Sequence, residues 1–327
     1  MPTQTAVIPG GNSVEPSVSL PNRSKATMQI LKPETSIIIC TRNRAGTLRN
    51  LLASLLKLDS DQPQSLEIVL VDNGSTDETR KLVLDFKRRA QFSVTYVFEG
   101  RRGVSAAKNA GIAASQGKVL LFTDDDCIVP PNWLTQARAS FDAKDSHCIV
   151  GGRVERYNPT DAPVTIKTSL EPEILRGCTA LPGFLHGCNL AIGRDVFESV
   201  GLFDVRFGPG TRLRASEESD LIYRALKQDI PVRYDPNFFV FHNHGRSRPS
   251  EVRRIRNAYS VANGALAAKY LLAGEVDLAK VSYWSVRSQV RDWRKGRVNR
   301  RDVISDVANL LRGAALYLFL GLGRSPR

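Results

Sequence analysis

Apolar and polar residues alternate along the first half of the chain in an order typical of an α/β protein. Short apolar runs at 35–40, 66–71, 93–98 and 118–123 have the length and β-branched content of buried strands. Stretches with helical spacing separate them, such as 45–58, where leucines three and four residues apart fall on one face. This order predicts an α/β fold whose central sheet is mostly parallel, with helices on both faces.

The second half of the chain has a less regular pattern. It predicts a strand at 184–192, a helix at 217–227, a last short strand at 238–241 and helical structure from 251 onward. Two further helices are expected in the first half. A Ser-x-x-Glu pattern at 75–78 predicts a capping box that opens a helix to about residue 89, and another helix is expected at 131–141.

Composition divides the chain into three parts. Residues 1–33 are rich in Pro, Ser, Thr, Asn and Gly and are expected to be a disordered leader. Residues 34–245 contain all the predicted strands. Residues 246–327 hold seventeen Lys/Arg and six Asp/Glu, a net charge of +11 out of +13 for the whole chain. A basic surface suits an anionic membrane or nucleic acid, but no nucleic-acid recognition motif accompanies the charge, so we expect a membrane surface and no nucleic acid. The alternative is a solvated basic helical lid that packs on the preceding domain.

Cysteine usage and apolar runs bear on the cellular compartment. The five cysteines are odd in number and form no C-x-x-C, which favours free thiols in a reducing compartment. The N-terminus has no secretory signal pattern. The longest apolar stretch, 314–322, is shorter than the roughly 18–20 residues that span a bilayer. We therefore expect a cytoplasmic protein, peripheral on the inner face of the membrane.

Polar motifs follow three of the predicted strands. They are Thr-Arg-Asn-Arg at 41–44, Asp-Asn-Gly-Ser at 72–75 and Asp-Asp-Asp at 124–126. Sheets of this class bind ligands beyond the carboxyl ends of their parallel strands. The sequence therefore predicts that the three motifs meet in one site.

The three adjacent aspartates indicate a cation site. In an extended segment Asp124 and Asp126 point to one side and Asp125 to the other, so the outer two can share a divalent ion that also binds phosphate oxygens. The alternative is a turn and helix cap built from aspartate. At the sheet edge, Asp72 can accept hydrogen bonds from a base or ribose, or can form an Asx turn.

Three later segments carry further candidates. Gly103 precedes a predicted helix and would let a phosphate approach backbone N–H groups, although a solvated basic loop fits equally. The Glu-Glu-Ser-Asp that begins a helix at 217–220 offers a general base, or acids that only offset the helix dipole. His242 and His244 can share a metal or phosphate site, or be structural.

Together these segments resemble the family 2 glycosyltransferases, which have a GT-A fold. The resemblance covers roughly Glu34 to Gly245, and its specificity comes from seven stretches in the family's order. They are Ser-Ile-Ile-Ile-Cys-Thr-Arg-Asn-Arg at 36–44, Val-Asp-Asn-Gly-Ser-Thr-Asp at 71–77, Gly-Val-Ser-Ala-Ala-Lys-Asn-Ala-Gly at 103–111, Phe-Thr-Asp-Asp-Asp at 122–126, Gly-Cys-Asn-Leu-Ala at 187–191, Val-Gly-Leu-Phe-Asp at 200–204 and Glu-Glu-Ser-Asp-Leu-Ile-Tyr-Arg at 217–224.

The resemblance implies roles for individual residues. Those expected to bind the nucleotide-sugar are Thr41, Arg42, Asp72, Gly103, Lys108, Asn109, Asp124 and, in a loop beside the sugar, Gly187 and Asn189. Those expected to bind Mn²⁺ or Mg²⁺ are Asp124, Asp126 and His242, with His244 as the alternative histidine. Lys108 stands where the family often has arginine, and it keeps the charge but loses the bidentate geometry.

The implied catalytic base is Glu218. The family's usual pair at this place is Glu-Asp, whereas this chain has two glutamates. Because glutamate reaches one methylene further, Asp220 and Glu217 remain alternatives.

The reaction implied by the resemblance is an inverting, metal-dependent transfer of a sugar from a nucleotide-diphosphate sugar, UDP-linked by preference, to a hydroxyl of a glycan or lipid-linked acceptor. A sugar nucleotidyltransferase is one alternative, but Thr-Arg-Asn-Arg replaces the Gly-rich basic loop expected after its first strand. A catalytically inactive nucleotide-sugar-binding protein is the other, and the presence of Asp124, Asp126 and Glu218 argues against it.

Overall fold

Four parallel strands form the first half of the central sheet, as the apolar runs predict. They are β1 (Thr35–Thr41), β2 (Leu66–Asp72), β3 (Ser93–Phe98) and β4 (Val119–Asp124), in the spatial order β3-β2-β1-β4. The structure is a computed structural model that describes residues 33–59, 63–141, 146–178, 181 and 183–322. The predicted leader therefore lies outside the described residues, apart from Pro33.

The second half of the sheet is mixed. β8 (Asn189–Gly193) is antiparallel to β4, β6 (Ile149–Arg156) is antiparallel to β8, and β9 (Val232–His242) is parallel to β6. The short strands β5 (Cys127–Ile128) and β7 (Glu173–Ile174) both pair with β9. The predicted strand at 238–241 is thus too short, because β9 already begins at Val232. It continues past Pro236 and Asn237, where its pairing with β6 shifts in register. The predicted parallel arrangement therefore holds for β1 to β4, whereas the second half of the sheet contains parallel and antiparallel pairs.

Nine α-helices are described. They are α1 (Ala45–Leu55), α2 (Thr79–Arg89), α3 (Val104–Ala114), α4 (Trp133–Ala139), α5 (Arg194–Val200), α6 (Glu217–Leu226), α7 (Pro249–Leu272), α8 (Asp277–Arg294) and α9 (Arg300–Leu322).

The predicted capping box at 75–78 does not form. Helix α2 begins only at Thr79, and its N-cap residue Glu78 makes no capping hydrogen bond; the N–H of Thr79 donates to Asp77 Oδ1 at 3.1 Å. Instead Ser75 Oγ accepts the N–H of Asn43 at 2.9 Å, and Asp77 Oδ2 accepts that of Ala45 at 3.0 Å. These side chains serve the neighbouring loop because the carboxyl ends of β1 and β2 lie side by side.

Both faces of the sheet are buried, and successive residues of one strand enter different cores. In β1, Ile38 packs into one cluster, whereas Ile37 and Ile39 pack into the other. Apolar residues of α1, α2 and α4 cover the second cluster, and residues of α3, α6, α7 and α9 cover the first. The face covered by α3 and α6 is the one that carries the candidate site.

The basic C-terminal helices pack onto this face, and Lys32–Arg327 form one compact unit. Two glycines let α7 and α9 approach closely. A Cβ added to Gly264 would lie 1.9 Å from the Leu310 carbonyl oxygen, and one added to Gly313 would lie 1.8 Å from that of Val261. Lys269 of α7 also forms an ion pair with Asp220 of α6 at 2.5 Å.

Part of α9, Arg300–Leu320, is long and apolar enough to cross a membrane by length and composition, with a mean hydropathy of 1.4 and 22% of it buried. The expectation that no stretch of the chain meets this criterion is wrong. That expectation rested on the uninterrupted apolar run at 314–322. Helix α9 is longer, because it also includes isolated polar residues such as Asp306 and Arg312.

Candidate active site

The carboxyl ends of β1, β2 and β4 bring the three predicted motifs to one edge of the sheet. In the strand registers Thr41 lies opposite Asp72, and Cys40 lies opposite Asp124. A cavity of about 220 Å³ opens here, which we call the strand-end cavity. Its polar lining includes Thr41, Arg42, Arg44, Asn73, Arg102 and Asp124.

A second cavity of about 260 Å³, the central cavity, adjoins the first. Asp124 and Arg44 line both cavities. The other predicted residues that line the central cavity are Lys108, Asp126, Gly187, Glu217, Glu218 and His242. Asp124 and Asp126, which we call the acid cluster, thus lie around the central cavity together with the candidate base Glu218 and the histidine His242.

The three aspartates are arranged differently from the expected alternation. β4 ends at Asp124, and Asp125 and Asp126 lie in a turn, so the alternation of an extended strand does not apply. Arg44 bridges the last two, with N···O distances of 3.2 Å to Asp125 and 2.7 Å to Asp126. Asp125 also accepts a 2.7 Å hydrogen bond from the Thr41 hydroxyl. Burial, partly offset by Arg44, raises the pKa of Asp125 to about 7.

His242 is the histidine that faces the acid cluster. Its Nε2 lies 3.3 Å from Oδ1 of Asp126, and its Nδ1 lies 3.3 Å from the Thr165 hydroxyl. His244 turns elsewhere, since its Nδ1 accepts the backbone N–H of Arg246 at 3.0 Å. The geometry therefore favours His242 over His244 as a candidate ligand.

The residues present fit a divalent cation. Asp126 Oδ1 is buried and makes no hydrogen bond of good geometry, so a carboxylate oxygen is available beside the His242 imidazole. Potential ligand atoms of Asp126, Cys127 and His242 all lie within 4.8 Å of one another. A carboxylate and an imidazole suit Mn²⁺, whereas the Cys127 thiol is a softer ligand than such an ion prefers. Asp124 does not belong to this group and lies between the two cavities.

The protonation of His242 bears on cation binding. Burial disfavours the charged imidazole, but contacts with Cys188 and Asp126 outweigh burial and raise the pKa of His242 to about 9. Burial also opposes ionisation of Asp126, yet His242 and Arg44 hold its pKa well below the usual range. A cation bound at Nε2 must therefore displace a proton.

Helix α6 presents two adjacent glutamates with different environments. It is preceded by Ser216 in the left-handed conformation (φ 66°, ψ 25°). Glu217 Oε1 forms a buried ion pair with Lys108 Nζ at 2.9 Å. Burial raises the pKa of Glu218 to about 8, and the negative charge of Glu217 adds to this effect. Glu218 lines the central cavity and has the protonation behaviour that suits a general base near neutral pH.

Asp220, the alternative base, lies away from both cavities. Its side chain is fully buried and accepts hydrogen bonds from Lys269, Tyr270 and Arg224. It lines neither cavity. Asp220 therefore joins α6 to α7 through its bonds to Lys269 and Tyr270.

Asn189 and Asn109, which the resemblance predicts to bind the nucleotide-sugar, form hydrogen bonds within the protein instead. Asn189 is fully buried, and its amide accepts from Trp133 Nε1 at 2.9 Å and donates to the carbonyls of Arg153 and Phe238. Asn109 forms two hydrogen bonds with the backbone of Phe203, at 2.9 and 3.0 Å. Neither lines the strand-end cavity or the central cavity, so the structure does not bring them to the site.

The remaining nucleotide candidates lie at or beneath the strand-end cavity. Asp72 is buried and accepts hydrogen bonds from the Ser75 N–H at 2.7 Å and the Tyr96 hydroxyl at 2.8 Å. Gly103 has φ 130° and donates its N–H to Asn73 Oδ1 at 3.0 Å. Thr41 and Arg42 line the strand-end cavity directly, whereas Asp72 and Gly103 are only the chain neighbours of the lining residues Asn73, Arg102 and Val104.

Sequence reasoning missed several residues that line these cavities. Asn73, Arg44 and His186 stand inside or beside the quoted motifs, so a closer look at those motifs could have found them. Tyr259 comes from α7, far from any motif, and nothing in the sequence pattern marks it. Burial and the neighbouring His242 lower the pKa of His186 to about 4, so its imidazole is neutral.

A model of the family described as glycosyl transferase family 2 matches residues 36–201, which is half of the chain. The chain belongs to this family. The match contains β1 to β4 and with them the sheet edge that carries the aspartates.

Relatives of known name support this membership. Glycosyltransferase AglE of Haloferax volcanii is 28% identical over 52% of this chain, and succinoglycan biosynthesis protein ExoM of Rhizobium meliloti is 26% identical over 68% of it. The match spans 56% of the Haloferax protein and 78% of the Rhizobium protein. A glycosyltransferase of Nostoc is 33% identical over 34% of this chain and 33% of that protein. The chain therefore spans about half or less of the length of the Haloferax and Nostoc relatives.

Solved structures show the same fold. The mannosyltransferase PcManGT of Pyrobaculum calidifontis, solved in complex with GDP-Man and Mn²⁺, has a TM-score of 0.60 at 17% identity, with 88% of each chain covered. TarS of S. aureus has a TM-score of 0.54 at 17% identity, over 80% of this chain and 43% of that one. The chain therefore has a GT-A-like sheet and a C-terminal helical region.

Proposed function

We propose that this glycosyltransferase transfers a sugar, with inversion, from a nucleotide-diphosphate sugar to an acceptor hydroxyl. The observation that carries the proposal is the central cavity, which joins a buried glutamate whose pKa is about 8 to an Asp126–His242 pair that fits a cation. A base and a charge-stabilising site around one space are what a direct displacement needs.

The donor would lie across both cavities. Its nucleotide occupies the strand-end cavity, where Arg42 and Arg102 face the negative diphosphate, and its sugar enters the central cavity. A UDP-linked donor is the first choice, and a GDP-linked donor is the direct alternative because PcManGT was solved with GDP-Man.

Glu218 would act as the general base. Its carboxylate takes the proton of the acceptor hydroxyl while that oxygen bonds to the anomeric carbon and the bond from this carbon to the diphosphate breaks. One displacement inverts the anomeric configuration. Lys108 keeps Glu217 ionised, and this negative neighbour helps Glu218 to hold the proton it receives.

Asp126 and His242 would hold the cation, Mn²⁺ or Mg²⁺, with Asp124 near the ribose or the water shell of the ion. A cation there offsets the negative charge that grows on the departing diphosphate. The Arg44 guanidinium partly neutralises Asp125 and Asp126, which lowers the electrostatic repulsion among the three adjacent carboxylates.

The acceptor is proposed to be a glycan or a lipid-linked glycan at an anionic membrane surface on the cytoplasmic side. The support is the net charge of +11 on residues 246–327. The name of the relative ExoM, a succinoglycan biosynthesis protein, is in keeping with a role in polysaccharide biosynthesis.

A thermal-shift panel tests the proposed donor. UDP-, GDP- and dTDP-sugars are compared in Mn²⁺, Mg²⁺ or EDTA. At 100 times its Kd, a ligand stabilises the fold by about 2.7 kcal/mol, so one donor class should raise the melting temperature in a metal-dependent way. A shift with nucleoside triphosphate and sugar phosphate, and none with nucleotide sugars, would instead indicate a nucleotidyltransferase.

A further inference from the structure

A third cavity, the rear cavity, adjoins the central cavity beside Glu218. It has a volume of about 170 Å³, and both cavities share Thr165, His186, Ser216, Glu218 and Tyr259. The acid-cluster residues Asp124 and Asp126 line the central cavity but not the rear one. Glu218 therefore stands at the boundary between the acid cluster and a separate space.

We propose that the rear cavity binds the reacting ring of the acceptor, a neutral sugar, and that Ser219 of α6 and Tyr259 and Asn263 of α7 recognise it. The proposal rests on the proposed function, because it places the acceptor hydroxyl on the far side of the base from the donor. It gives the C-terminal helices a direct part in acceptor selection.

The lining of the rear cavity suits a neutral polyhydroxylated ring. Among the described residues that line it there is no lysine or arginine, and Glu218 is the only carboxylate. An anionic group such as a phosphate would therefore find no basic side chain of lysine or arginine among these residues. The volume is well below the roughly 300–1,000 Å³ of a pocket for a drug-sized ligand, which fits a single ring.

The polar groups of the lining are available to a ligand. Within the described part of the chain, the Ser219 and Tyr259 hydroxyls make no hydrogen bond, and Asn263 only accepts a long one of 3.4 Å from Ser216 Oγ. A sugar hydroxyl can donate to Oδ1 of Asn263 or accept from its Nδ2. The Tyr259 ring supplies the apolar surface that sugar-binding cavities combine with such groups.

The path continues away from the donor side. Ser219 and Asn263 also line a smaller cavity of about 90 Å³ between α7, α8 and α9. Further polar groups there come from Ser260, Ser282, Ser285, Gln289 and the carboxylate of Asp306. An acceptor longer than one sugar would therefore extend between the C-terminal helices.

The test is a binding measurement with defined probes. Saturation-transfer NMR is run with methyl glycosides of glucose, galactose, mannose and N-acetylglucosamine, with UDP or GDP and Mn²⁺ present, on the full chain. Asn263→Ala should weaken binding of the preferred glycoside about fivefold, the loss typical of one hydrogen bond. The matched control is Asn257→Ala on the same helix, where the amide accepts from Ser305 and lines none of these cavities. It should bind the glycoside like the wild type.

The outcomes separate this proposal from the proposed function. If no glycoside binds, or if Asn257→Ala and Asn263→Ala weaken binding equally, the rear cavity is not the acceptor site, whatever the donor turnover. If a glycoside binds in an Asn263-dependent way while no nucleotide sugar is turned over, the cavity assignment stands and the donor chemistry fails. Where turnover is present, Asn263→Ala should raise the KM of the acceptor and leave the KM of the donor within about twofold.

Discussion

At the scale of single residues, the site depends on two neighbouring glutamates that differ in their partners. Burial raises the pKa of both carboxyls, but the ion pair with Lys108 reverses this effect for Glu217. For Glu218 the charge of Glu217 adds to burial, and the pKa reaches about 8. A carboxyl with so high a pKa lowers the free energy of unfolding near neutral pH, and it can accept and release a proton in the same pH range.

Glu218→Gln should therefore stabilise the protein at high pH. In the unfolded chain Glu218 ionises near the ordinary glutamate value of 4.5, and in the folded chain only near 8, so the folded state binds the extra proton between these values. Its contribution to stability falls as the pH rises through this window. We expect the variant and wild type to melt alike near pH 4.5, and the variant to melt roughly 2 °C or more higher at pH 8. A variant that is less stable than wild type at pH 8 would refute this assignment of the pKa.

Asp126→Ala should remove cation binding without unfolding the protein. The change deletes the carboxylate oxygen that lies unbonded beside His242. Mn²⁺ affinity, measured by calorimetry at pH 8, should fall at least about 100-fold. Asp220→Asn is the control, since it should keep Mn²⁺ affinity but lose about 3 kcal/mol of stability with its buried ion pairs. Unchanged Mn²⁺ binding by Asp126→Ala would move the cation site elsewhere.

At the scale of elements, the sequence was most informative where local pattern and tertiary environment agree. The four apolar runs became β1 to β4, and the motifs at their ends met as expected. The failures have physical causes. Ser75 could cap a helix, yet it bonds to an adjacent loop, and β9 continues past Pro236 because its partner β6 shifts register there.

The candidate site was predicted in part for the same reason. Sequence could place Asp126, Glu218 and His242 at the ends of elements, and they do line one cavity. It could not show that the amides of Asn109 and Asn189 are used within the protein, because their partners are distant in the chain. Tyr259 was missed because only tertiary packing brings α7 to the site.

The contact between α7 and α9 gives a prediction at this scale. Gly264→Ala would place a methyl group against the Leu310 carbonyl and push the helices apart, which should cost about 1–3 kcal/mol. Gly46→Ala in α1 is the matched control, since its Cβ would meet nothing within 4 Å and should stabilise the helix by about 0.5 kcal/mol. Urea denaturation measures both. Equal stability of the two variants would show that the close approach is not important for the fold.

At the scale of the whole molecule, positive charge gathers at one end of the C-terminal helices. An ion pair between Arg256 and Asp302 at 2.8 Å brings the first turns of α7 and α9 together. Arg246, close to α7, lines the central cavity. Exposed basic residues at this end are Arg253, Arg254, Arg297, Arg300 and Arg301. The outer face of α9 is apolar, with Ile304, Leu311, Leu318 and Phe319 exposed.

The full chain should therefore float with anionic vesicles, and less so at high salt. Basic residues near an anionic surface contribute about 1 kcal/mol each, so Arg297→Gln, Arg300→Gln and Arg301→Gln together should lower binding roughly tenfold or more. The control removes three exposed charges at the end of α2, with Lys87→Gln, Arg88→Gln and Arg89→Gln, and should float like wild type. Equal flotation of both triple variants, or flotation of neither them nor wild type, would contradict membrane docking.

The central claim is tested most directly by metal-dependent release of nucleoside diphosphate from a nucleotide sugar in the presence of an acceptor extract. Wild type should release it with Mn²⁺ and not with EDTA. Glu218→Gln should release it about 10²–10⁴-fold more slowly while binding the donor with unchanged affinity, because the base contacts the acceptor hydroxyl. Near-normal release by Glu218→Gln, or release by wild type that is indifferent to EDTA, would contradict the account.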